Sequence, residues 1–257
     1  MNVLNLISTH AETASQRYRV LVDNWRSVYK RVLLESDFGS TKQLKRVIDG
    51  AYASARSYLD EEYKEISKAF MEISLEARRA AISDLASSTA IDLTDRLSDH
   101  LIEAEDYLKR EIAIQVERDI AFLRQSIRNT YLQVGLASKS QNISVKSALM
   151  RHQIGNVTEL HFFFHDRRNQ KWPSQKFIRS VWRHSLLNLY NEMVLMTFAE
   201  HGVDVVQVDH MNKSAASHGM KVSMSPNSVY PTYFEIRNDV FHPNSDAILK
   251  GVVNVYS

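Results

Sequence analysis

The stretch that decides the fold covers residues 93–134 and reads LTDRLSDHLIEAEDYLKREIAIQVERDIAFLRQSIRNTYLQV. It contains neither proline nor glycine, and its apolar residues recur at steps of three and four, which places them in one stripe along a helix. The stripe consists of Leu97, Leu101, Ala104, Leu108, Ile112, Val116, Ile120, Leu123, Ile127, Tyr131 and Val134. This pattern predicts a long helix packed on other helices of the same chain, with coiled-coil pairing to another subunit as the alternative.

A second apolar stripe lies upstream and predicts another long helix over residues 51–73. Its members are Ala51, Ala55, Tyr58, Leu59, Tyr63, Ile66, Phe70 and Ile73. A shorter helix is predicted over residues 13–34. No proline precedes Pro173, and proline breaks helices. The composition therefore favours a long, mainly α-helical N-terminal region.

The remainder of the chain mixes strand and helix signals. Residues 203–208, 221–225 and 251–256 are short runs typical of strands, and the apolar run 160–164 is a further strand candidate. Residues 173–201 keep helical spacing, with Ser174 available as a cap and Gly202 placed to end the helix. The fold class is therefore predicted as α+β, with a small mixed α/β domain behind the helices.

The predicted domains are residues 1–137, a helical docking region, and residues 138–257, the α/β domain. The polar segment 137–142 is interpreted as the linker between them. The first 19 residues lack the pattern of a secretory signal, and no stretch is apolar enough to cross a membrane.

Composition excludes several kinds of chemistry. The 257 residues include no cysteine, which excludes disulfides, thiolate metal sites and cysteine nucleophiles. The formal net charge of +2 is too small to imply nucleic-acid binding by itself. The sequence also lacks G-x-S-x-G, G-x-x-x-x-G-K-[ST], G-x-G-x-x-G and H-E-x-x-H patterns.

The remaining polar candidates have a chemical and a structural interpretation. His242-Pro243-Asn244 is either a catalytic histidine with an orienting amide or a turn, and we favour the turn. Asp204 is either part of an acid–base pair or a capping residue at the start of a strand, and we favour the cap. His161 and His165 flank a strand candidate, where they would stand too far apart to share a metal. We expect no catalytic residue, no metal and no cofactor.

Six basic residues are interleaved with aromatic ones before and within the predicted helix 173–201. They are Arg167, Arg168, Lys171, Lys176, Arg179 and Arg183. Cationic side chains neutralise phosphates, and aromatic rings stack on bases. The set is interpreted as a contact surface for nucleic acid or for an acidic protein patch. The other interpretation is a solvated basic face, which we favour slightly over the contact surface.

The order of motifs in the C-terminal part resembles the Mu F-like and related minor capsid, or head-morphogenesis, proteins of tailed phages. The motif residues are Asp166, Trp172, Arg183, Gly202, Asp204, His210, Gly219, Lys221, Tyr230, Phe241, His242, Pro243 and Asn244. The resemblance spans about 90 residues, roughly a third of the chain, and its most specific part is Phe-His-Pro-Asn following the hairpin stretch 219–225.

This resemblance implies a non-enzymatic virion component inside the phage head near the portal, assembled in the host cytoplasm. The implied partners are the portal or other head proteins and packaged double-stranded DNA, with self-association through the helices as a further possibility and no membrane. The implied roles are head assembly and DNA packaging or ejection. An enzyme or toxin-like transferase domain carried by a phage, and a DNA-binding protein, are the alternatives.

The sequence departs from this family pattern at its cysteines. Many relatives carry cysteines that make up a set of zinc ligands, whereas the corresponding positions here are Ser214, Ser217 and Ser245. Serine hydroxyls are poor zinc ligands. We therefore expect packing and hydrogen bonds to hold this region.

Overall fold

The computed structural model of the chain describes residues 2–33, 40–87, 89–155, 160–165, 168–226, 228–242 and 244–252. The helices are α1 (Val3–Val32), α2 (Thr41–Asp84), α3 (Asp95–Ser140), α4 (Val145–Gly155), α5 (Ser174–Glu200) and α6 (Tyr233–Val240). The strands are β1 (Phe163–His165), β2 (Lys171–Pro173), β3 (Val205–Asp209), β4 (Lys221–Ser223) and β5 (Ile248–Gly251). The predicted α+β class, with long helices first and a few short strands later, is confirmed.

Several predicted boundaries are wrong, one of them by ten residues. The helix predicted over 13–34 begins at Val3, and the segment predicted as a linker, 137–142, still belongs to α3 as far as Ser140. The strand predicted over 251–256 lies earlier, as β5, and residues 253–257 fall outside the described residues. The sequence patterns did not predict α4, β2 or α6.

The chain groups into two compact units, both discontinuous in sequence. The sheet unit, which contains β3, β4 and β5, comprises Met1–Ala14, Tyr63–Arg110 and Arg179–Ser257. The hairpin unit, which contains β1 and β2, comprises Ser15–Glu62 and Glu111–Ile178. The predicted division at residue 137, into a helical docking region and an α/β domain, stays a prediction.

The hairpin unit has an aromatic core between helices. The Trp25 ring lies 5.8 Å from that of Phe162, and Trp25 Nε1 donates to Ser54 Oγ at 2.9 Å. Most of the predicted α3 stripe is buried, but Tyr131 is 42% exposed. Thr130 takes the inward position instead and bonds the Tyr29 hydroxyl at 2.7 Å, because a helix of 3.6 residues per turn drifts off a fixed three-and-four pattern.

A buried carboxylate lies at the polar centre of this unit. Asp119 is 1% exposed and accepts hydrogen bonds from the Tyr18 hydroxyl at 2.6 Å and from Ser174 Oγ at 3.0 Å. Gln115 Nε2 donates to it as well, at 3.1 Å. The Ser174 hydroxyl, predicted to cap α5, is thus bonded to α3. The hydrogen bonds from these three donors offset part of the free-energy cost of burying the carboxylate.

The sheet unit is built on a three-stranded antiparallel sheet in the order β4-β3-β5. Its register pairs Val206 with both Val222 and Gly251, and Val208 with Leu249. The four larger of these side chains are fully buried, so one face of the sheet is apolar. That face packs on α5, whose Asn191 Oδ1 accepts a hydrogen bond from the Leu249 amide at 2.9 Å.

The edge of β5 approaches the helices closely at Gly251. A Cβ placed there would lie 3.0 Å from Asp84 Cβ and 3.1 Å from Phe198 Cζ. The Gly251 amide donates to Asp84 Oδ2 at 2.8 Å. Glycine therefore lets the strand reach the α2 carboxylate.

Within the described ranges, no helix is both long enough and apolar enough to span a lipid bilayer.

Candidate functional site

The hairpin between β3 and β4 carries the most polar side chains of the sheet unit. Beyond the strand ladder, the Gly219 amide donates to the Val208 carbonyl at 2.8 Å, and the Val208 amide donates to the Met220 carbonyl at 2.9 Å. Gly219 has φ +77°, a conformation that glycine adopts without strain. These bonds hold the 210–218 loop in a fixed place at the end of the sheet.

His210 is the centre of a hydrogen-bonded row of three side chains. Its ring is buried, with Nδ1 2.8 Å from Asp246 Oδ1 and Nε2 2.7 Å from Ser217 Oγ. A carboxylate cannot donate, so Nδ1 carries the proton that Asp246 accepts. In the neutral ring, Nε2 then accepts the proton of the Ser217 hydroxyl. We refer to Ser217, His210 and Asp246 as the His210 triad.

The His210 triad also fixes the charge of its acid. The hydrogen bond from His210 is the largest cause that lowers the pKa of Asp246, and it outweighs the opposing effect of burial. The Asn212 amide adds a longer bond to Asp246 Oδ2 at 3.4 Å. Asp246 is therefore ionised at neutral pH, as an orienting carboxylate must be.

A serine, a histidine and a carboxylate bonded in this order are also found at activated nucleophiles. The surroundings of Ser217, however, differ from those of a nucleophile in an open active site. A cavity of about 490 Å³ beside it is lined by His210 and Asp246 together with Tyr190 and Lys250. Within the described part of the chain, Ser217 is not among the residues lining that cavity. The arrangement joins the loop after β3 to the turn before β5, which is a structural cross-link.

A second charged group lies on the same cavity. Asp209, the last residue of β3, pairs with Lys213 and with Lys250, whose Nζ lies 2.7 Å from Asp209 Oδ2. Burial would raise the pKa of Asp209, but the hydrogen bonds from the two lysines outweigh it and lower the pKa. Asp209 thus ties β3 to its own loop and to β5.

The three serines that the family resemblance singled out, Ser214, Ser217 and Ser245, have different roles. Ser217 belongs to the His210 triad, and Ser245 is buried with its hydroxyl accepting the Ala247 amide at 3.0 Å. Ser214 is exposed. Across the described residues, no group of three or more histidine, aspartate and glutamate side chains is arranged to hold a metal ion.

The remaining motif residues of the sheet unit serve the local fold. Gly202 has φ +71° and ends α5, and Asp204 Oδ2 accepts the Ser223 hydroxyl at 3.3 Å, beside the start of β3. Lys221 Nζ lies 5.5 Å from the centre of the Tyr230 ring. Phe241 is fully buried against Tyr233, with ring centres 5.3 Å apart.

The His242 segment contains turn bonds. The Asn244 amide donates to His242 Nδ1 at 3.2 Å, and the Ser245 amide donates to the His242 carbonyl at 2.8 Å. These contacts agree with the turn interpretation of this motif. The predicted motif residues Asp166 and Pro243, and the predicted contact residue Arg167, lie outside the described residues.

The predicted basic residues divide between the two units. In the hairpin unit, Lys171 Nζ lies 5.3 Å from the Phe163 ring centre, and Lys176 Nζ lies 5.4 Å from that of Trp172. Arg168 is exposed in the same unit. Trp172 and Phe163 are 39% and 38% exposed, so the β1–β2 hairpin presents two rings, each with a cation beside it.

In the sheet unit, Arg179 Nε pairs with Glu12 Oε2 at 2.8 Å on the surface. Arg183 is half-buried, and burial, with help from the neighbouring Arg179, lowers the pKa of its guanidinium. No described contact tests whether any of these basic residues bind DNA or a partner, and their contact role stays a prediction.

Sequence reasoning missed the acid of the His210 triad. Asp246 follows Ser245, one of the serines that the family resemblance singled out, and this neighbourhood was the available signal. Asp119 carried no comparable signal, because its neighbours in the sequence give it the appearance of an ordinary surface charge.

Comparison with known families gives one match. The model of the family described as Phage minor capsid protein 2 matches residues 22–221. The match begins within α1 and ends at the first residue of β4, so it covers α2 to α5 as well as part of the resembling C-terminal region. The Phe-His-Pro-Asn motif lies beyond it. No curated protein and no solved structure matches the chain.

Proposed function

The chain belongs to the phage minor capsid protein 2 family, and we propose that it is a structural component of the head interior that docks on the portal. The family establishes a structural capsid role in a phage particle. The proposal goes beyond this role in three respects. The protein lies inside the head, it binds the portal, and it takes part in assembly or in DNA packaging and ejection. The proposed role requires no bond-making chemistry.

The observation that carries this proposal is an apolar surface on the hairpin-unit part of α3. Ile114, Phe122, Leu132 and Leu136 are 38%, 40%, 60% and 70% exposed. At about 100° per residue they lie within an arc of roughly 80° on the helix. We call these four side chains the α3 outer face.

The α3 outer face points away from the buried stripe of the same helix. Val116, Ile120, Leu123 and Ile127 are fully buried on the opposite side. Ile114, Leu132 and Leu136 therefore lie outside the core of this unit, whereas the partly exposed Phe122 also contacts the core residue Phe162, with ring centres 5.7 Å apart. Exposed apolar residues grouped on one face are typical of a protein-binding surface.

A second observation favours contact with packaged DNA as part of the same role. The β1–β2 hairpin exposes Phe163 and Trp172, with the ammonium groups of Lys171 and Lys176 held over their rings. Ammonium groups neutralise phosphates without reading sequence, and exposed rings contact sugars or bases. This hairpin is the surface that we propose faces DNA.

The portal contact is tested by co-purification with portal from proheads. In the double variant Leu132→Glu, Leu136→Glu, two charges enter the α3 outer face, so the protein recovered with portal should fall at least tenfold. Ile102→Glu is the matched control, since Ile102 is 55% exposed on the sheet-unit part of the same helix. It should co-purify normally. Undiminished recovery of the double variant, or absence of the wild type from proheads and virions, would contradict the proposal.

A further inference from the structure

The β1–β2 hairpin has a buried side and an outward side. Phe162 is 1% exposed, whereas His161, Phe163 and His165 on either side of it and beyond are exposed. Side chains along a strand alternate between its two faces, so these three point away from the core of the hairpin unit. The strand register pairs His165 with Lys171, and directly paired residues share a face. We call His161, Phe163, His165 and Lys171 the hairpin outer face.

Three rings form a row on the hairpin outer face. The ring centres of His161 and Phe163 lie 5.6 Å apart, and the two ring planes differ by 30°. Phe163 is 38% exposed, and His165 occupies the next outward position of β1. Alternate residues of a strand stand about 7 Å apart. The face therefore offers flat, solvent-accessible rings at a regular spacing.

The charge around this row is positive. Residues 160–176 contain Arg167, Arg168, Lys171 and Lys176 against one acid, Asp166. On the outer face itself, Lys171 Nζ lies 5.3 Å from the centre of the Phe163 ring. A cation over an exposed ring is held weakly, and the lysine stem is flexible. The ammonium group can therefore swing to a phosphate and leave the ring to a base.

The spacing of the rings distinguishes single strands from duplex. In duplex DNA the bases of one strand are paired and stacked with a rise of about 3.4 Å. Rings about 7 Å apart contact successive bases only if those bases are unpaired and spread apart. A duplex offers its phosphates to Lys171 but keeps its base faces covered, whereas unpaired bases stack on exposed aromatic rings regardless of sequence.

Building on the DNA-facing role proposed above for this hairpin, we infer that the hairpin outer face binds single-stranded DNA. Unpaired bases stack on the rings of His161, Phe163 and His165, and Lys171 neutralises a neighbouring phosphate. The hairpin thereby selects unpaired segments over intact duplex.

The binding probes are a fluorescent oligothymidylate, a duplex of the same length, and an abasic strand of the same length that keeps the phosphates and lacks the bases. Each is titrated with the full-length chain, and fluorescence anisotropy is followed. The oligothymidylate should bind at least tenfold more tightly than either of the others, because it alone has accessible bases.

The possible failures are distinguishable. Equal binding of the oligothymidylate and the abasic strand, or equal or tighter binding of the duplex, would overturn the single-strand proposal and leave the DNA-facing role of the hairpin in place. No binding of any probe would overturn both. Co-purification with portal is measured separately and does not depend on either outcome.

Variants separate stacking from charge. Phe163→Ala should weaken oligothymidylate binding at least tenfold and leave the abasic strand unaffected, and Phe163→Leu, which keeps an apolar side chain without a flat ring, should behave similarly. Lys171→Gln should weaken both strands by the same factor and reduce the salt dependence of binding. Phe234→Ala, 75% exposed on α6 of the sheet unit, is the matched control and should change nothing. Undiminished oligothymidylate binding by both Phe163 variants would overturn the proposal.

Discussion

Two carboxylates, one in each unit, both accept hydrogen bonds, yet their pKa values are shifted in opposite directions. Asp119 in the hairpin unit accepts three, but burial outweighs them and raises its pKa to about 6. Asp246 in the sheet unit has a side chain 35% exposed, and the bond from His210 lowers its pKa. Access to solvent, more than the number of donors, decides whether a polar network favours the charged acid.

The two shifts have opposite consequences for stability against pH. Because the folded pKa of Asp119 lies above its ordinary value of 3.8, the folded state binds the proton more tightly, and stability falls as pH rises from about 4 to 6. Asp246 has a lowered folded pKa. Its contribution is present above the ordinary value and is lost as pH falls through the folded one.

The largest effect is expected from removal of the Asp119 side chain. Asp119→Ala leaves the donors of Tyr18, Ser174 and Gln115 facing an empty space, and we expect a loss of about 3 kcal/mol in the free energy of unfolding at pH 7. Urea titration measures it. Asp49→Ala, at an exposed position of α2 in the same unit, should change stability by less than about 0.5 kcal/mol. Similar losses in both variants would mean that Asp119 is not a buried centre.

A conservative change at the same position isolates the effect of pH. Asp119→Asn keeps the shape and an acceptor oxygen but cannot ionise. The contribution of Asp119 falls by on the order of 2 kcal/mol between pH 4 and pH 7 for a shift of this size, so the stability of the wild type relative to the variant should fall by that amount over this range. Thermal unfolding at several pH values tests this. A wild-type stability that rises steadily over that range, with the same slope in the variant, would contradict it.

The His210 triad should give a smaller effect with the opposite pH trend. Asp246→Asn replaces a charge-assisted bond by a neutral one at a partly exposed site, so we expect a loss of about 1 kcal/mol at pH 7. The difference from wild type should shrink as pH falls below the ordinary value of 3.8 and vanish once the wild-type acid is protonated. Ser217→Ala is the companion variant, and its loss should not depend on pH in this acidic range. A constant difference for Asp246→Asn down to pH 2 would count against the linkage.

The smallest effect is expected from an exposed ion pair. Arg179 and Glu12 are 56% and 49% exposed at their side chains, and such pairs contribute little in water. Arg179→Ala should change the free energy of unfolding by at most about 0.5 kcal/mol, and added salt should reduce the difference further. A loss above 2 kcal/mol would show that the exposed fraction of the side chains alone does not determine how much each of these interactions stabilises the protein.

The sequence predicted the long helices well because apolar periodicity is a local property. The predicted stripe of α3 is largely buried, from Leu97 to Val134. It could not predict that Thr130 would replace Tyr131 in the core, since this depends on the partner Tyr29 in another helix. The helix α6 was missed although Thr232 and Glu235 form a capping box, a signal readable from the sequence.

The polar sites were less accessible to prediction. His210 and Asp246 lie 36 positions apart and meet only because β5 pairs with β3. The charge of Asp119 gave no sign of burial, since a charged residue at the edge of a stripe is usually exposed. Contacts between segments distant in the sequence therefore determine the polar sites, whereas the local spacing of apolar residues determines the helices.

The discontinuity of the two units has a consequence for synthesis. The hairpin unit needs segments as far along the chain as Ile178, and the sheet unit needs β5, whose Gly251 bonds Asp84 across 167 positions. On the ribosome, α1, α2 and α3 emerge before the strands and α5 that complete their surroundings. High contact order slows folding, so we expect the nascent helices to expose apolar faces until α5 and the strands have emerged, and to depend on chaperones during that interval.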